Sequence, residues 1–64
     1  MKSLLNVRLA EARMTKRDVE RLTGISHTTL WKYSRDDLMG RATLDNLASI
    51  AEVLGCKAKD LYEE

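Results

Sequence analysis

Residues 14–30 read MTKRDVERLTGISHTTL, and this stretch decides the fold. Thr15 is a typical helix N-cap, and Gly24 can end the helix that follows because glycine adopts the left-handed conformation at little cost. Ser26 is the N-cap of a second helix that begins almost at once. Two capped helices joined by a three-residue link that contains glycine must cross steeply. The sequence therefore predicts a helix-turn-helix over residues 15–34.

Further signals support both helix starts. Asp18 stands where it completes a capping box at the first start. Met14 and Val19 can form a hydrophobic staple there, and Ile25 with Leu30 repeats the pattern at the second start.

The rest of the chain also predicts helices. Apolar residues recur at intervals of three and four, no proline occurs, and no segment alternates over the length of a strand. A first helix is expected over residues 4–13. A polar loop over residues 35–42 leads to a longer helix that Thr43 caps and Gly55 ends, and a short fifth helix follows over residues 58–62. The expected fold is a compact all-α domain of five helices.

The same periodicity predicts the hydrophobic core. The residues expected to face it from the first two helices are Leu5, Leu9, Ala12, Val19 and Leu22. The residues expected to line the buried face of the helix after Thr43 are Leu44, Leu47, Ala48, Ala51 and Leu54. Four further apolar residues are not all needed for this core: Leu38, Met39, Ile50 and Val53. Val53 lies opposite that stripe, either as a lone exposed side chain or as part of a dimer surface.

Length and composition restrict the class of protein. A chain of 64 residues predicts one domain, residues 1–64, that buries only about 60% of its unfolded surface. No apolar run approaches bilayer length, and no signal peptide is evident, so we expect no membrane partner and a reducing cytoplasm. A lone cysteine, Cys56, and a lone histidine, His27, form neither a disulfide nor a metal site. We expect Cys56 to be a small buried hydrophobe and the protein to use no cofactor.

Positive charge is concentrated in the helix-turn-helix region, although the net charge is only +1. Residues 13–41 contain seven basic and four acidic side chains, whereas residues 42–64 contain two basic and five acidic ones. This distribution favours a polyanionic partner for the first region.

The second helix of the motif has a face suited to the major groove. On a helical wheel Leu30 and Tyr33 define its buried side, and Thr28, Trp31, Lys32 and Arg35 share the outer side, with His27 on the flank. Lysine can donate to guanine or to phosphate, threonine can contact a base edge or a thymine methyl, and histidine can donate or accept.

At the start of the first helix of the motif, Lys16 and Arg17 flank free backbone amides, which predicts a phosphate clamp. The predicted DNA-contacting residues are Lys16, Arg17, Ser26, His27, Thr28, Thr29, Trp31, Lys32 and Arg35. Trp31 has two alternative roles: contact with a thymine methyl or sugar edge, or packing over Leu38 and Met39.

The chain resembles the lambda-repressor-like (Cro/CI, Xre-type) helix-turn-helix family from residue 5 to residue 63. The resemblance rests on residues 14–30, on TLDNLASIAEVLGC at 43–56 and on DLYE at 60–63. It implies a five-helix DNA-binding domain that controls transcription. It also implies that His27, Thr28, Trp31 and Lys32 contact bases, that Lys16 contacts a phosphate, and that Arg35 lies near a loop that contacts the DNA backbone.

Several positions depart from the family pattern. An Arg–Glu pair common in the family is replaced by Leu9 and Ser34. Glu20 stands where the family usually has a small residue, and it is expected to face solvent. Lys57 stands where a capping Ser is common, so the last helix is expected to fray. The loop after the second helix of the motif is longer and contains Asp36 and Asp37. These carboxylates would repel phosphates, so the loop is expected to turn them away from DNA.

Two functions from different classes remain open at this point. The first is a sequence-specific regulator that binds operator DNA as a homodimer, with the recognition helix at residues 26–34. The second is a protein-interaction module of the antitoxin or anti-repressor type, which the acidic residues 42–64, the Asp36–Asp37 pair and the low net charge favour. Neither a nucleophile–base pair nor a carboxylate dyad occurs, so we expect no enzymatic activity and no small-molecule ligand.

Overall fold

A computed structural model describes all 64 residues, Met1 to Glu64. In chain order its elements are β1 (Lys2–Ser3), α1 (Leu5–Ala12), α2 (Lys16–Thr23), α3 (His27–Tyr33), α4 (Asp36–Met39), α5 (Leu44–Leu54), a 3₁₀ turn (Ala58–Leu61) and β2 (Tyr62–Glu63). The helices pack into a body of 26 × 21 × 18 Å. The expected all-helical fold is confirmed, and the helix-turn-helix is formed by α2 and α3.

The three predicted N-caps are confirmed by side-chain hydrogen bonds. The hydroxyl of Thr15 accepts from the backbone N–H of Asp18 at 3.2 Å, and the Asp18 carboxylate accepts from the Thr15 N–H at 3.0 Å. Ser26 and Thr43 each accept from the backbone N–H three residues further on, at 3.1 and 3.2 Å. Gly24 ends α2 at φ 79°, so the steep turn between α2 and α3 arises as the sequence predicts.

The hydrophobic core differs from the predicted stripe in α2 and α5. The buried core residues are Leu5, Leu9, Val19, Leu30, Tyr33, Met39, Leu47, Ile50, Ala51 and Leu61. Leu22 and Leu44, predicted to be buried, are 60% and 73% exposed, and Ala48 is also exposed.

The correction in α5 has a geometric cause. This helix packs against α1, α2 and the 3₁₀ turn at once, so its buried arc centres between Leu47 and Ile50 and leaves Leu44 and Ala48 outside. Ile50 has no exposed surface and belongs to the core. Val53 is half-buried against the core, so it is not the lone exposed side chain that its position opposite the stripe suggests.

The segment predicted as a polar loop contains α4, a single helical turn. Asp36 and Asp37 occupy its first turn, where negative charge stabilises the free N–H groups of a helix. Met39 is buried at the other end of this turn. The segment therefore contributes to the core through Met39, one of the four apolar residues whose burial the sequence left undecided.

The two chain ends are joined by a short antiparallel pairing that the sequence does not predict. Lys2 pairs with Glu63 and Ser3 pairs with Tyr62. The backbone N–H of Leu4 donates to the carbonyl of Leu61 at 2.9 Å. The expected fifth helix is a 3₁₀ turn that ends at Leu61, because Tyr62 takes the extended backbone of β2.

That turn has a cap in place of the expected serine. The carboxylate of Asp60 accepts from the backbone N–H of Lys57 at 3.0 Å, and the backbone N–H of Asp60 donates to the Lys57 carbonyl at 2.9 Å. The side chain of Arg8 also donates from Nε to the Asp60 carbonyl at 2.8 Å. The bond from Arg8 attaches the turn to α1. The carboxylate of Asp60 caps the turn in place of a serine and opposes the fraying expected from Lys57.

Candidate nucleic-acid interface

Helix α3 presents a polar face to solvent. Leu30 and Tyr33 are buried, whereas His27, Thr28 and Lys32 are exposed, and the side chains of these three make no hydrogen bond within the chain. The structure thus places His27, Thr28 and Lys32 together on the face that the helical wheel selects. Their donors and acceptors are free for another molecule.

Two side-chain hydrogen bonds fix the carboxyl end of α3. The hydroxyl of Tyr33 accepts from Nδ2 of Asn46 in α5 at 2.9 Å. The hydroxyl of Ser3 donates to the carbonyl of Tyr33 at 2.6 Å, which satisfies an acceptor at the carboxyl end of the helix. The orientation of α3 is therefore held by side chains from β1 and α5.

Glu20 holds the amino end of α3. Its carboxylate accepts from the backbone N–H of His27 at 3.0 Å. The expectation that Glu20 simply faces solvent is therefore wrong, because α2 and α3 cross closely enough for this side chain to reach the first free amide of α3. The contact links the two helices of the motif.

Two of the predicted contact residues, Ser26 and Thr29, are paired with each other. The Ser26 hydroxyl donates to the Thr29 hydroxyl at 2.9 Å and also accepts from the Thr29 backbone N–H. Thr29 is half-buried. Both hydroxyls are partly used in starting α3, so fewer of their hydrogen-bonding positions remain for a ligand.

Trp31, Arg35 and Asp37 form a cluster at the carboxyl end of α3, here called the Trp31–Arg35–Asp37 cluster. The Arg35 guanidinium lies over the Trp31 ring, 5.4 Å from its centroid, within the range of a cation–π contact. Nε and Nη2 of Arg35 donate to the two carboxylate oxygens of Asp37, each at 3.0 Å. These hydrogen bonds from Arg35 lower the pKa of the Asp37 carboxyl.

The cluster corrects the wheel position of Arg35. Helix α3 ends at Tyr33, and Arg35 has the extended backbone of the N-cap of α4. Arg35 therefore reaches the α3 face by stacking on Trp31 and not as a residue of that helix. Trp31 itself is 49% exposed and does not belong to the core cluster.

The amino end of α2 has free donors beside two basic side chains. The backbone N–H groups of Lys16 and Arg17 have no acceptor within the chain. Arg17 is exposed and its side chain is unpaired, whereas Lys16 is half-buried and its ammonium donates to Oδ1 of Asn6 at 2.9 Å. Lys16 therefore lies against α1, and Arg17 is the freer of the two cations.

The carboxylates around the motif are mostly engaged. Asp36 accepts from the backbone N–H of Ser3 at 2.8 Å, and Asp37 is paired with Arg35. Hydrogen bonds from the backbone and hydroxyl of Thr15, with a smaller contribution from Arg21, lower the pKa of Asp18. Glu20 caps α3, as described above. The negative charge near α3 is therefore tied to fixed partners.

The remaining observations concern metal ligands, the thiol and the length of the helices. No group of three or more His, Cys, Asp or Glu residues lies close enough together to hold a metal ion. Cys56 is half-buried and packs against the core, and this burial raises the pKa of its thiol. None of the helices has the length and apolar character needed to cross a bilayer.

Taken with the capped α2–α3 pair, the free polar face of α3 defines the chain as a helix-turn-helix protein. A family model described as the Cro/C1-type HTH DNA-binding domain matches residues 4–63. Because this match spans nearly the whole chain, the chain belongs to the Cro/C1-type HTH DNA-binding family. Searches of curated proteins and of solved structures return no significant match.

Sequence reasoning missed three residues that organise this interface. Ser3 and Glu20 act through contacts whose partners lie 30 and seven residues away in the sequence, and neither has a local signal of its role. Asp37 follows Arg35 by two residues, and opposite charges this close in the sequence are a signal that could have predicted the ion pair.

Proposed function

We propose that this protein is a sequence-specific regulator of transcription that inserts α3 into the major groove of double-stranded DNA. The observation that carries the proposal is the exposed and unpaired set His27, Thr28 and Lys32 on the second helix of a Cro/C1-type helix-turn-helix. Lysine, threonine and histidine can each bond base edges that the major groove displays. The buried side of the same helix fixes the direction in which these residues point.

The amino end of α2 is the proposed phosphate contact. Its free N–H groups and positive helix-dipole end favour an anion, and the Arg17 side chain is available beside them. Such contacts set the position of the protein on the duplex and account for the salt dependence of binding. We assign Lys16 a smaller share, since its ammonium already bonds Asn6.

Binding as a homodimer is part of this proposal. Helix α3 has seven residues and is about 10 Å long, which is roughly three base pairs of duplex. A second copy on a half-site about one helical turn away would double the sequence read. Leu22 is a large exposed side chain that lies beside the half-buried Val53, and a contact between two copies at this place would cover both.

A selection from a pool of randomised duplexes, followed by binding measurements at several salt concentrations, tests the proposal. Lys32→Ala and Thr28→Ala should each weaken binding to the selected duplex while the circular dichroism of the fold is unchanged. Each lost base contact should cost about 1–3 kcal/mol, or roughly 5- to 150-fold in affinity. Lys59→Ala is the matched control, because it removes one exposed lysine outside α3.

The outcome that would refute the proposal is equally definite. If the protein enriches no sequence from the pool at moderate salt, it is not a sequence-specific regulator.

Asp36 accepts a hydrogen bond from Ser3 and Asp37 is paired with Arg35, which weakens the case that these carboxylates form an acidic surface for a protein partner. Sedimentation of the protein with duplexes that carry one or two half-sites tests the homodimer, which predicts two copies on the longer duplex.

A further inference from the structure

The Trp31–Arg35–Asp37 cluster leaves one defined edge of the Arg35 guanidinium open. A guanidinium has five N–H donors in a fixed plane. Asp37 accepts from Nε and from Nη2 along one side of that plane. The donors that remain are the second N–H of Nη2 and both N–H groups of Nη1, which form the end of the side chain.

This end edge has the geometry of a guanine reader. Two parallel N–H groups at the end of an arginine can bond O6 and N7 of guanine, the pair of acceptors that guanine presents in the major groove. The Trp31 ring supports the guanidinium face at 5.4 Å, and Asp37 fixes its rotation in the plane. An arginine held in this way loses less conformational entropy when it binds.

The charges of the cluster argue against a simple phosphate contact. The Asp37 carboxylate cancels the charge of Arg35 and would itself repel a phosphate that approached the pair. Asp37 is 62% exposed at its side chain, so this repulsion would act in solvent next to the DNA. The penalty is smaller for a base contact, because guanine O6 and N7 carry no formal charge and are recognised by the geometry of the donors.

We propose that Arg35 reads a guanine in the major groove and that Asp37 is the positioning residue that makes it selective. This inference rests on the proposed function and names one base of the recognised sequence. Trp31 then serves as the platform for Arg35, which differs from both roles that the sequence left open for it. Arg35 differs likewise from the backbone contact that the family resemblance implies.

Selection from the randomised duplex pool with the wild-type protein, Arg35→Lys and Asp37→Asn tests this assignment. Lysine keeps the charge of Arg35 but not the fork of donors. The wild-type protein should enrich a guanine at one position of the half-site. Both variants should reduce the preference for that guanine over adenine about 10- to 100-fold. For Arg35→Lys the dependence of binding on salt should stay as in the wild type.

Arg21→Lys is the matched control, because Arg21 is also an exposed arginine that pairs with an aspartate at 3.0 Å but lies on α2. It should leave the enriched sequence unchanged. Circular dichroism should show that all variants are folded, as expected for exposed positions.

Two results would overturn the inference alone. One is an Arg35→Lys protein that enriches the same guanine as the wild type. The other is an Asp37→Asn protein that binds all duplexes more tightly and equally, with a salt dependence steeper by about one phosphate contact, since that result identifies a phosphate contact. If the wild-type protein enriches no sequence at all, the proposed function fails and this inference fails with it.

Discussion

Replacing Ile50 by valine removes one methylene group from a side chain that has no exposed surface. Such a truncation costs about 0.5–1.5 kcal/mol, from lost burial and the cavity that remains. A chain of this length is expected to have a free energy of unfolding of about 3–10 kcal/mol. The substitution should therefore lower Tm by about 2–12 °C and leave most of the protein folded at 25 °C.

Thermal unfolding followed by circular dichroism measures this shift, and Leu44→Ala is its control. Leu44 is 73% exposed, so its truncation should change the free energy of unfolding by no more than about 0.5 kcal/mol. The comparison tests which of the two side chains is buried, because helical periodicity places Leu44 in the buried stripe and Ile50 outside it, whereas the structure buries Ile50 and exposes Leu44. A larger loss for Leu44→Ala than for Ile50→Val would refute the packing described for α5.

Three further predictions concern other features of the structure. Hydrogen bonds to Thr15 lower the pKa of Asp18. The ionised carboxylate therefore stabilises the fold above the ordinary pKa of aspartate, and this stabilisation is lost as the pH falls through the lowered pKa. In Asp18→Asn, the free energy of unfolding measured in urea should fall less between pH 7 and about pH 3 than in the wild type. Ser3→Ala removes the donor to the Tyr33 carbonyl and should cost about 1 kcal/mol in urea unfolding. Burial raises the pKa of the Cys56 thiol, so iodoacetamide should alkylate Cys56 more slowly in the folded protein than in urea at the same pH.

Each of these predictions has a result that contradicts it. An Asp18→Asn protein with the full acid dependence of the wild type would show that the capping carboxylate is not its source. Ser49→Ala is the control for Ser3→Ala, because Ser49 is an exposed serine in α5 without a side-chain hydrogen bond. An equal loss of stability in the two variants would show that the bond from Ser3 to Tyr33 does not stabilise the fold. Equal alkylation rates in buffer and in urea would mean that Cys56 is not protected by the core.

Local signals in the sequence account for most of the fold. Thr15, Ser26 and Thr43 cap their helices as predicted, and Gly24 and Gly55 end α2 and α5 in the left-handed conformation. These features depend on residues within one helical turn, so the sequence displays them directly. The steep turn of the helix-turn-helix follows from two of them in close succession.

Features that depend on distant partners could not be predicted in the same way. Leu22 and Leu44 fit a helical stripe, but the neighbours of α2 and α5 decide which side of each helix is covered. The pairing of β1 with β2 joins the two ends of the chain. Met39 is buried because α4 packs against α3 and β1, which a polar stretch does not reveal.

The candidate interface also contains features that local sequence predicts and features that depend on tertiary structure. The exposure of His27, Thr28 and Lys32 follows from helical geometry once Leu30 and Tyr33 are assigned to the core. The stack of Arg35 on Trp31 depends on the end of α3 and the extended backbone that follows it, and helical periodicity cannot supply that geometry.

The central claim is that α3 enters the major groove, and intermolecular NOEs in the complex with the selected duplex test it most directly. If α3 lies in the major groove, the methyl group of Thr28 should give NOEs to thymine methyl or cytosine H5 protons, which lie in that groove. NOEs from Thr28 to sugar protons of the minor groove, or DNA contacts confined to α5 and the 3₁₀ turn, would contradict it.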